Sequence, residues 1–168
     1  RVDERNPHVS GKEITRRKII IGVVKDPETN KYMVLKWKTQ PWTTFITGGI
    51  EDGEEIIESA KREILEETGY NDLKFIRTLG GPTEAHFFAA HKNVNRITQA
   101  TIVVFDLNSK SQVSRSEEET SQYDIGWLTY DDLRKVGLQH AEADIIFSRL
   151  CFVTRPYVFR LAKFLSVT

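Results

Sequence analysis

The sequence predicts an α/β fold in which a mixed β-sheet is covered by helices. Short apolar runs rich in β-branched and aromatic residues recur along the chain, as they do in proteins built from strands. One long segment, residues 54–68, contains no Gly or Pro and carries apolar residues at helical spacing. Further helical patterns follow the last strand-like run. Strands that flank helices in this order favour a sheet with helices packed on it, and 168 residues suit one such domain.

The first strands follow a polar segment. Residues 1–16 contain Pro7 and Gly11 and lack periodicity, so we interpret them as an arm or linker that precedes the domain. The runs KIIIGVV (18–24) and KYMVLKWK (31–38) predict two strands, and the turn-forming residues between them predict a hairpin. The run WTTFITGG (42–49) predicts a third, short strand that ends in glycines.

The period then changes to that of a helix. We predict a helix over residues 54–68, with Asp52 or Gly53 as the N-cap and Gly69 as the C-terminal stop. At about 100° per residue, one face of this helix is apolar. That face contains Ile57, Ala60 and Ile64.

The second half of the chain also contains strand-like and helical patterns. A polar segment with three successive glutamates, residues 109–122, predicts a loop. We place the domain at residues 17–151 and a tail or last helix at residues 152–168. The predicted strands are 73–80, 85–91, 101–107 and 123–130, and the predicted helices are 131–136 and 141–150.

Charge and cysteine content exclude several classes of partner. Lys plus Arg and Asp plus Glu number 24 each, so no overall field favours nucleic acid or a membrane surface, and we expect no DNA or membrane partner. No apolar run approaches the roughly 20 residues that span a bilayer. Cys151 is the one cysteine, which precludes an intrachain disulfide and fits a reducing, cytoplasmic location. The first residue is Arg1 rather than Met, so we expect a processed product or a piece of a longer protein.

Carboxylates are concentrated in residues 48–70, GGIEDGEEIIESAKREILEETGY. Glu63, Glu66 and Glu67 fall side by side on the predicted helix. Repulsion between like charges at this spacing destabilises a helix by roughly a few tenths of a kcal/mol per pair. A divalent cation would turn this repulsion into binding, because Mg²⁺ prefers oxygen ligands. The spacing alone is equally compatible with a solvated helix face and with a metal site.

The same stretch resembles the Nudix box. That pattern is a glycine, five residues, a glutamate, seven residues, and then R-E-U-x-E-E-x-G-U, where U is a bulky apolar residue. Every fixed position is met, and Tyr70 stands where aliphatic residues are commoner. The resemblance covers roughly residues 17–150. The matching residues are Gly48, Glu54, Arg62, Glu63, Ile64, Glu66, Glu67, Gly69 and Tyr70.

The resemblance implies an α/β/α sandwich that hydrolyses a nucleoside diphosphate linked to another group X, with Mg²⁺ or Mn²⁺. Glu63, Glu66 and Glu67 would be metal-binding or water-activating carboxylates, and Arg62 would hold one of them by ion pairing. Glu54 would support the loop or the metal site. Alternatively, it is only an acidic residue in the first turn of the helix, where the helix dipole stabilises its charge. Gly48 would place a backbone carbonyl near the metal.

Residues outside the box carry weaker predictions. Trp37, Trp42 and Phe45 lie on strands that often line the Nudix ligand pocket, where stacking on a base contributes roughly 1–3 kcal/mol; we expect two of the three to be core residues. His86 is a candidate for the substrate cleft, beside the commoner role of a sheet-surface histidine. We expect the glutamates 117–119 to form a solvated acidic loop.

An alternative from a different class is a Nudix module of a larger protein with a binding or architectural role. Residues 35–54 (LKWKTQPWTTFITGGIEDGE) are similar to Nudix modules inserted in some bacterial leucyl-tRNA synthetases. The intact box favours an enzyme over such a module. The resemblance also makes a homodimer possible, and it leaves X unidentified.

Overall fold

A computed structural model describes residues 2–4, 6–140 and 142–154. From residue 155 onward, the predicted tail lies outside these described residues. The first predicted strand is longer than its apolar run and begins at Ile14 rather than at residue 18. The strands are β1 Ile14–Asp26, β2 Lys31–Trp37, β3 Thr43–Thr44, β4 Ile46–Gly49, β5 Leu73–Thr78, β6 Thr83–Ala89, β7 Val94–Leu107 and β8 Tyr123–Leu128.

The strands form one mixed sheet. Its continuous path runs β3-β2-β1-β7-β5, while β4 pairs with β1, β6 with β7 and β8 with β2. The long central strands β1 and β7 are parallel, and the remaining pairs are antiparallel. The predicted mixed sheet is confirmed. Because β1 and β7 are central, side chains on both of their faces must be covered.

Helices cover the two faces of the sheet. The helices are α1 Ile56–Thr68, α2 Glu117–Gln122, α3 Tyr130–Val136 and α4 Ala143–Thr154. On one face, Ala60 and Ile64 of α1 pack into a buried cluster with Ile20, Val103 and Phe105. On the other face, residues of α3 and α4 pack into a second cluster around Ile21 and Ile102. The predicted α/β/α sandwich is therefore confirmed.

Three local predictions differ from the structure. The predicted strand at residues 42–49 is divided in two, because Thr43–Thr44 pairs with β2 whereas Ile46–Gly49 pairs with β1. The predicted N-cap at Asp52 or Gly53 is wrong: α1 starts after Glu55, which makes no side-chain capping bond, because the chain first turns through Gly53 with φ +80°. The predicted loop at residues 109–122 ends in α2.

The N-terminal segment packs on the sheet. The Asp3 N–H donates to the His86 carbonyl at 2.9 Å, and the Phe88 N–H donates to the Asn6 carbonyl at 2.8 Å. Further along, the Asn95 side chain accepts from the Val9 N–H and donates to its carbonyl, both at 2.8 Å. These bonds run to β6 and β7, so this part of residues 1–16 extends the domain along one edge.

Among the residues that the structure describes, no helix combines the length and the apolar character needed to cross a membrane.

A buried histidine joins the segment between α3 and α4 to the sheet. The Phe45 N–H donates to His140 Nε2 at 2.8 Å, and the two rings stack at 6.2 Å. Nε2 must be unprotonated to accept this bond, and burial lowers the pKa of His140 to about 4 from 6.5. Protonation of this ring therefore opposes folding.

We predict that His140 makes the protein acid-sensitive. Between pH 6.5 and about 4 the unfolded chain binds more protons at this position than the folded chain, so this contribution is complete above pH 6.5 and is lost as pH falls. The expected loss at pH 5 is about 2 kcal/mol. Urea unfolding of the wild type and of His140→Gln at pH 7.5 and pH 5 measures it, because other titrating groups are common to both proteins. Equal losses in the two proteins would contradict the prediction.

Candidate functional site

Gly48 allows strand β4 to lie close against helix α1. A Cβ built on Gly48 would lie 1.8 Å from Glu63 Cδ. The Glu63 carboxylate therefore occupies the space that any side chain at position 48 would fill. This close approach explains why residue 48 must be glycine. It also fixes Glu63 beside the backbone of the turn that leads from the end of β4 into α1, residues 48–55.

Arg62 links the turn to the middle of α1. Its guanidinium binds both oxygens of Glu54, with Nε–Oε1 at 2.9 Å and Nη2–Oε2 at 3.0 Å. Nη2 also donates to the Gly49 carbonyl at 3.0 Å, and Nη1 to Glu63 Oε1 at 2.8 Å. Glu66 lies further away, with its Oε2 at 3.4 Å from Nη1. The Arg62 hydrogen bond lowers the pKa of Glu54 to about 2, and the pKa of Arg62 is raised above its usual range.

Glu67 has a different environment from the other box glutamates. Its Oε2 is buried and has no hydrogen-bond partner, while the Thr47 backbone N–H donates to its carboxylate. Burial, together with the nearby charges of Glu63 and Glu119, raises the pKa of Glu67 to about 9. A carboxylate held in this way is protonated at neutral pH unless a positive charge lies beside it.

Glu63 and Glu66 differ in exposure. The Glu63 side chain is 15% exposed and that of Glu66 56%. Burial raises the pKa of Glu63, against the opposing effect of Arg62. The helix therefore presents one half-buried carboxylate in the Gly48 turn, one exposed carboxylate, and Glu67 between the helix and strand β4.

Glu119 is a candidate functional residue that the sequence analysis assigned to a solvated loop. It lies on α2, and its charge acts on Glu67, Glu63 and Glu66. Burial raises its pKa, followed by the charge of Glu118. A signal for this helix was present, because Ser116 followed by Glu119 has the spacing of an N-terminal cap. The Ser116 hydroxyl accepts from the Glu119 N–H at 3.1 Å.

The carboxylates suit a hard divalent cation. They offer oxygen ligands, as Mg²⁺ and Mn²⁺ require, and the buried Oε2 of Glu67 has no partner. In the structure Arg62 bonds to three of the box carboxylates, Glu54, Glu63 and Glu66. Among the described residues, no three Asp, Glu, His or Cys side chains are already gathered as a metal-binding group. Residues that could hold a cation are Glu63, Glu66 and Glu67, with the Gly48 carbonyl and Glu54 beside them.

Glu67 also lines an aromatic cleft of about 570 Å³. Trp37, Trp42 and Phe45 lie along it, together with Phe87 of β6. Phe45 is fully buried, whereas Trp42 is 42% exposed. The indole rings of Trp37 and Trp42 meet edge to face at 6.0 Å. The cleft therefore brings flat apolar surfaces and one carboxylate of the box to the same space.

His86 is placed elsewhere. Its Nε2 lies 2.6 Å from Glu84 Oε1, and its ring is 5.6 Å from that of His8. Phe87, its neighbour in β6, points to the opposite face and lines the cleft. A larger cavity of about 690 Å³, which Arg134 and Phe147 help to line, contains none of the predicted site residues.

A comparison with protein families gives one match. The family model described as NUDIX domain matches residues 15–150 of the 168. A comparison with curated proteins gives no match.

Several solved structures share the fold. The NUDIX hydrolase from Nitrosomonas europaea is 17% identical with a TM-score of 0.55, over 84% of this chain and 92% of that chain. A C. elegans Ap4A hydrolase binary complex is 17% identical with a TM-score of 0.60, over 82% and 96%. The E. coli dihydroneopterin triphosphate pyrophosphohydrolase is 18% identical with a TM-score of 0.60, over 84% and 99%. At these identities the likeness shows the fold alone.

We predict that Gly48→Ala weakens divalent-cation binding without unfolding the protein. The new methyl group would displace Glu63 from the turn, because the two would overlap. The expected loss of Mn²⁺ affinity is about 10- to 100-fold, the range for a disturbed metal-site neighbour. Titration of Mn²⁺ followed by electron paramagnetic resonance measures it. Gly81→Ala is the matched control, because a Cβ there meets nothing within 4 Å. Unchanged affinity in the Gly48 variant would contradict the prediction.

Proposed function

The chain belongs to the Nudix hydrolase family, and we propose that it uses Mg²⁺ or Mn²⁺ to cleave a diphosphate bond in a nucleoside diphosphate linked to another group X. The observation that carries the proposal is Glu67, which has a buried oxygen without a partner and lines the aromatic cleft. A group that is both unsatisfied and open to a ligand space suits a reaction centre better than a structural role.

The three glutamates have separate tasks in this proposal. Glu63, held by the Gly48 turn and by Arg62, and the exposed Glu66 provide oxygen ligands from one side of α1. Glu67 provides an oxygen from the cleft side. Glu119 of α2 faces the same group and extends the negative potential that attracts a cation.

Arg62 acts as a positioning residue. Its bidentate pair with Glu54 and its bond to the Gly49 carbonyl fix the turn against the helix. The Glu63 side chain is therefore already in position to present its carboxylate to a cation. This role predicts that Glu54 supports the site through Arg62.

The bound cation would neutralise the diphosphate oxygens and lower the pKa of a bound water molecule. A box carboxylate would accept one proton of the attacking water as the water oxygen forms a bond to phosphorus. The bridging P–O bond breaks, and its electron pair leaves with the departing phosphate. Trp37, Trp42 and Phe87 offer flat surfaces on which a nucleoside base can stack.

The alternative function is a Nudix module with a binding or architectural role in a larger protein. It predicts a folded chain that binds a divalent cation and turns over no nucleotide. The unsatisfied Oε2 of Glu67 favours the enzyme, because a purely architectural helix gains nothing from a buried carboxylate oxygen without a partner.

We predict that Glu67→Gln abolishes metal-dependent hydrolysis. A panel of ADP-ribose, dinucleoside polyphosphates, NADH, nucleotide sugars and oxidised deoxynucleoside triphosphates should give at least one substrate with Mg²⁺ and none with EDTA. The variant removes an oxygen ligand or proton acceptor at constant shape, so kcat should fall about 10²- to 10⁴-fold. Glu58→Gln is the control, because Glu58 lies on the same helix and pairs with Lys61 at its surface.

Hydrolysis that persists with EDTA or in the Glu67 variant would contradict this proposal. No turnover of any substrate by a folded protein that binds Mg²⁺ would favour the binding module.

A further inference from the structure

The wall of the aromatic cleft contains an unsatisfied hydroxyl group. The hydroxyl of Thr98 is buried and has no hydrogen-bond partner among the described residues, and the residue is 3% exposed. Thr98 lines the cleft that also contains Phe87 and Glu67. Its neighbours in β7, Ile97 and Gln99, line a different cavity of about 590 Å³. Because side chains alternate along a strand, the side chain of Thr98 is the part that faces the cleft.

The strand pairing explains why this hydroxyl is left without a partner. Ala85 of β6 lies directly opposite Thr98 and is fully buried. Its methyl side chain offers neither a donor nor an acceptor. Phe87 follows two residues later in β6 and is the diagonal neighbour of Thr98 on the same face, a position from which an aromatic ring reaches across. An apolar ring and an unsatisfied hydroxyl therefore lie side by side in the cleft wall.

The unsatisfied hydroxyl destabilises the free protein. A buried donor that has left water and gained no partner carries a free-energy penalty, which a ligand atom in the cleft would remove. Thr83 provides the contrast within β6, because this buried threonine donates its hydroxyl to the Ala100 carbonyl at 3.4 Å. An unsatisfied group in the wall of a cleft of ligand size is the arrangement expected of a binding site.

Thr98 lies far from the glutamates of the box, although it lines the same cleft. Thr47, whose N–H donates to Glu67, pairs with Ile21 of β1, which pairs in turn with Ile102 of β7. Thr98 precedes Ile102 by four residues. With a strand spacing of about 4.8 Å and a rise of about 3.3 Å per residue, the Cα atoms of Thr47 and Thr98 are roughly 16 Å apart. A nucleotide extended from its outer phosphate to the far edge of its base spans a distance of this order.

We propose that Thr98 is a specificity-determining residue that hydrogen-bonds the polar edge of a nucleoside base stacked beside Phe87. This inference rests on the proposed function and deepens it, because it assigns the nucleoside half of the substrate, and not X, to the cleft. A threonine hydroxyl both donates and accepts a hydrogen bond, so it suits the edge of a heterocyclic base and not an acyl chain. The diphosphate then lies at Glu67, and X lies outside the aromatic cleft.

Binding of nucleoside monophosphates tests the hydroxyl without hydrolysis, because these ligands contain no diphosphate bond. AMP, GMP, CMP and UMP are titrated calorimetrically with Mg²⁺ against the wild type, Thr98→Val, Thr98→Ser and Thr83→Val. Valine keeps the shape of threonine and removes the hydroxyl, so Thr98→Val should weaken binding of the best monophosphate about 10-fold, as expected for one lost hydrogen bond. Thr98→Ser keeps the hydroxyl and should retain most of the affinity. Thr83→Val is the matched control and should bind like the wild type, because Thr83 is not among the residues that line the cleft.

Thermal unfolding of the free proteins separates a ligand-binding hydroxyl from a structural one. Thr98→Val replaces an unsatisfied hydroxyl by a methyl group, so its Tm should rise by about 2–4 °C. Thr83→Val loses a hydrogen bond, so its Tm should fall. A Tm of Thr98→Val that falls like that of Thr83→Val would show that the Thr98 hydroxyl is bonded within the protein, and would overturn the proposal.

Kinetics distinguish the base from X. Substrates that share the base of the best-bound monophosphate and differ in X are compared; for adenosine these are ADP-ribose, diadenosine tetraphosphate and ATP. For each one that the wild type hydrolyses, Thr98→Val should raise KM about 10-fold and leave kcat within about 2-fold, because Thr98 lies far from the reacting phosphates. A rise in KM confined to one X would show that X occupies the cleft, and would overturn the assignment.

The failures of the two proposals are distinguishable. Monophosphate binding that needs the Thr98 hydroxyl, without turnover of any substrate, would support the base site and contradict the proposed function. Hydrolysis that needs Glu67, with equal monophosphate affinity and equal KM in the wild type and Thr98→Val, would overturn the base site and leave the proposed function standing. A wild type that binds none of the four monophosphates would also overturn the base site.

Discussion

The site depends on the ion pair between Arg62 and Glu54. Its two bonds, 2.9 Å and 3.0 Å long, connect the middle of helix α1 to the turn that precedes the helix. The same guanidinium reaches the Gly49 carbonyl and Glu63, so one side chain sets the position of the turn and of a carboxylate. Protonation of Glu54 at low pH removes this ion pair. The depressed pKa of Glu54 means that its stabilising effect is present above pH 4.5 and is lost as pH falls toward about 2.

Gly48 and Gly49 face two different environments, because successive residues of a strand point to opposite faces of the sheet. On the helix side, Gly48 admits the Glu63 carboxylate, which Arg62 binds. On the opposite face, Gly49 lies under the Arg17 guanidinium. Glu67 extends from α1 into the aromatic cleft.

The features that the sequence predicted well are local. The C-terminal stop at Gly69 is confirmed, with φ +78° and its N–H bonded to the Leu65 carbonyl, because a helix end depends on neighbouring residues. The family resemblance and the mixed sheet are also confirmed, because the motif and the apolar runs that predict them are patterns of neighbouring residues. Features that depend on distant contacts were not predicted. The packing of the N-terminal segment on β6 and the approach of Glu119 to the box both join residues far apart in sequence. Hydrophobic periodicity carries no information about such polar contacts.

The central claim is that the box carboxylates of α1 hold a divalent cation at the mouth of the aromatic cleft. A crystal structure of the protein soaked in Mn²⁺, with anomalous diffraction data, tests it most directly. We expect an anomalous peak within ligand distance of Glu67 and of Glu63 or Glu66, with Arg62 still paired to Glu54. A peak at another place, or Glu67 left without a cation at saturating Mn²⁺, would contradict the account.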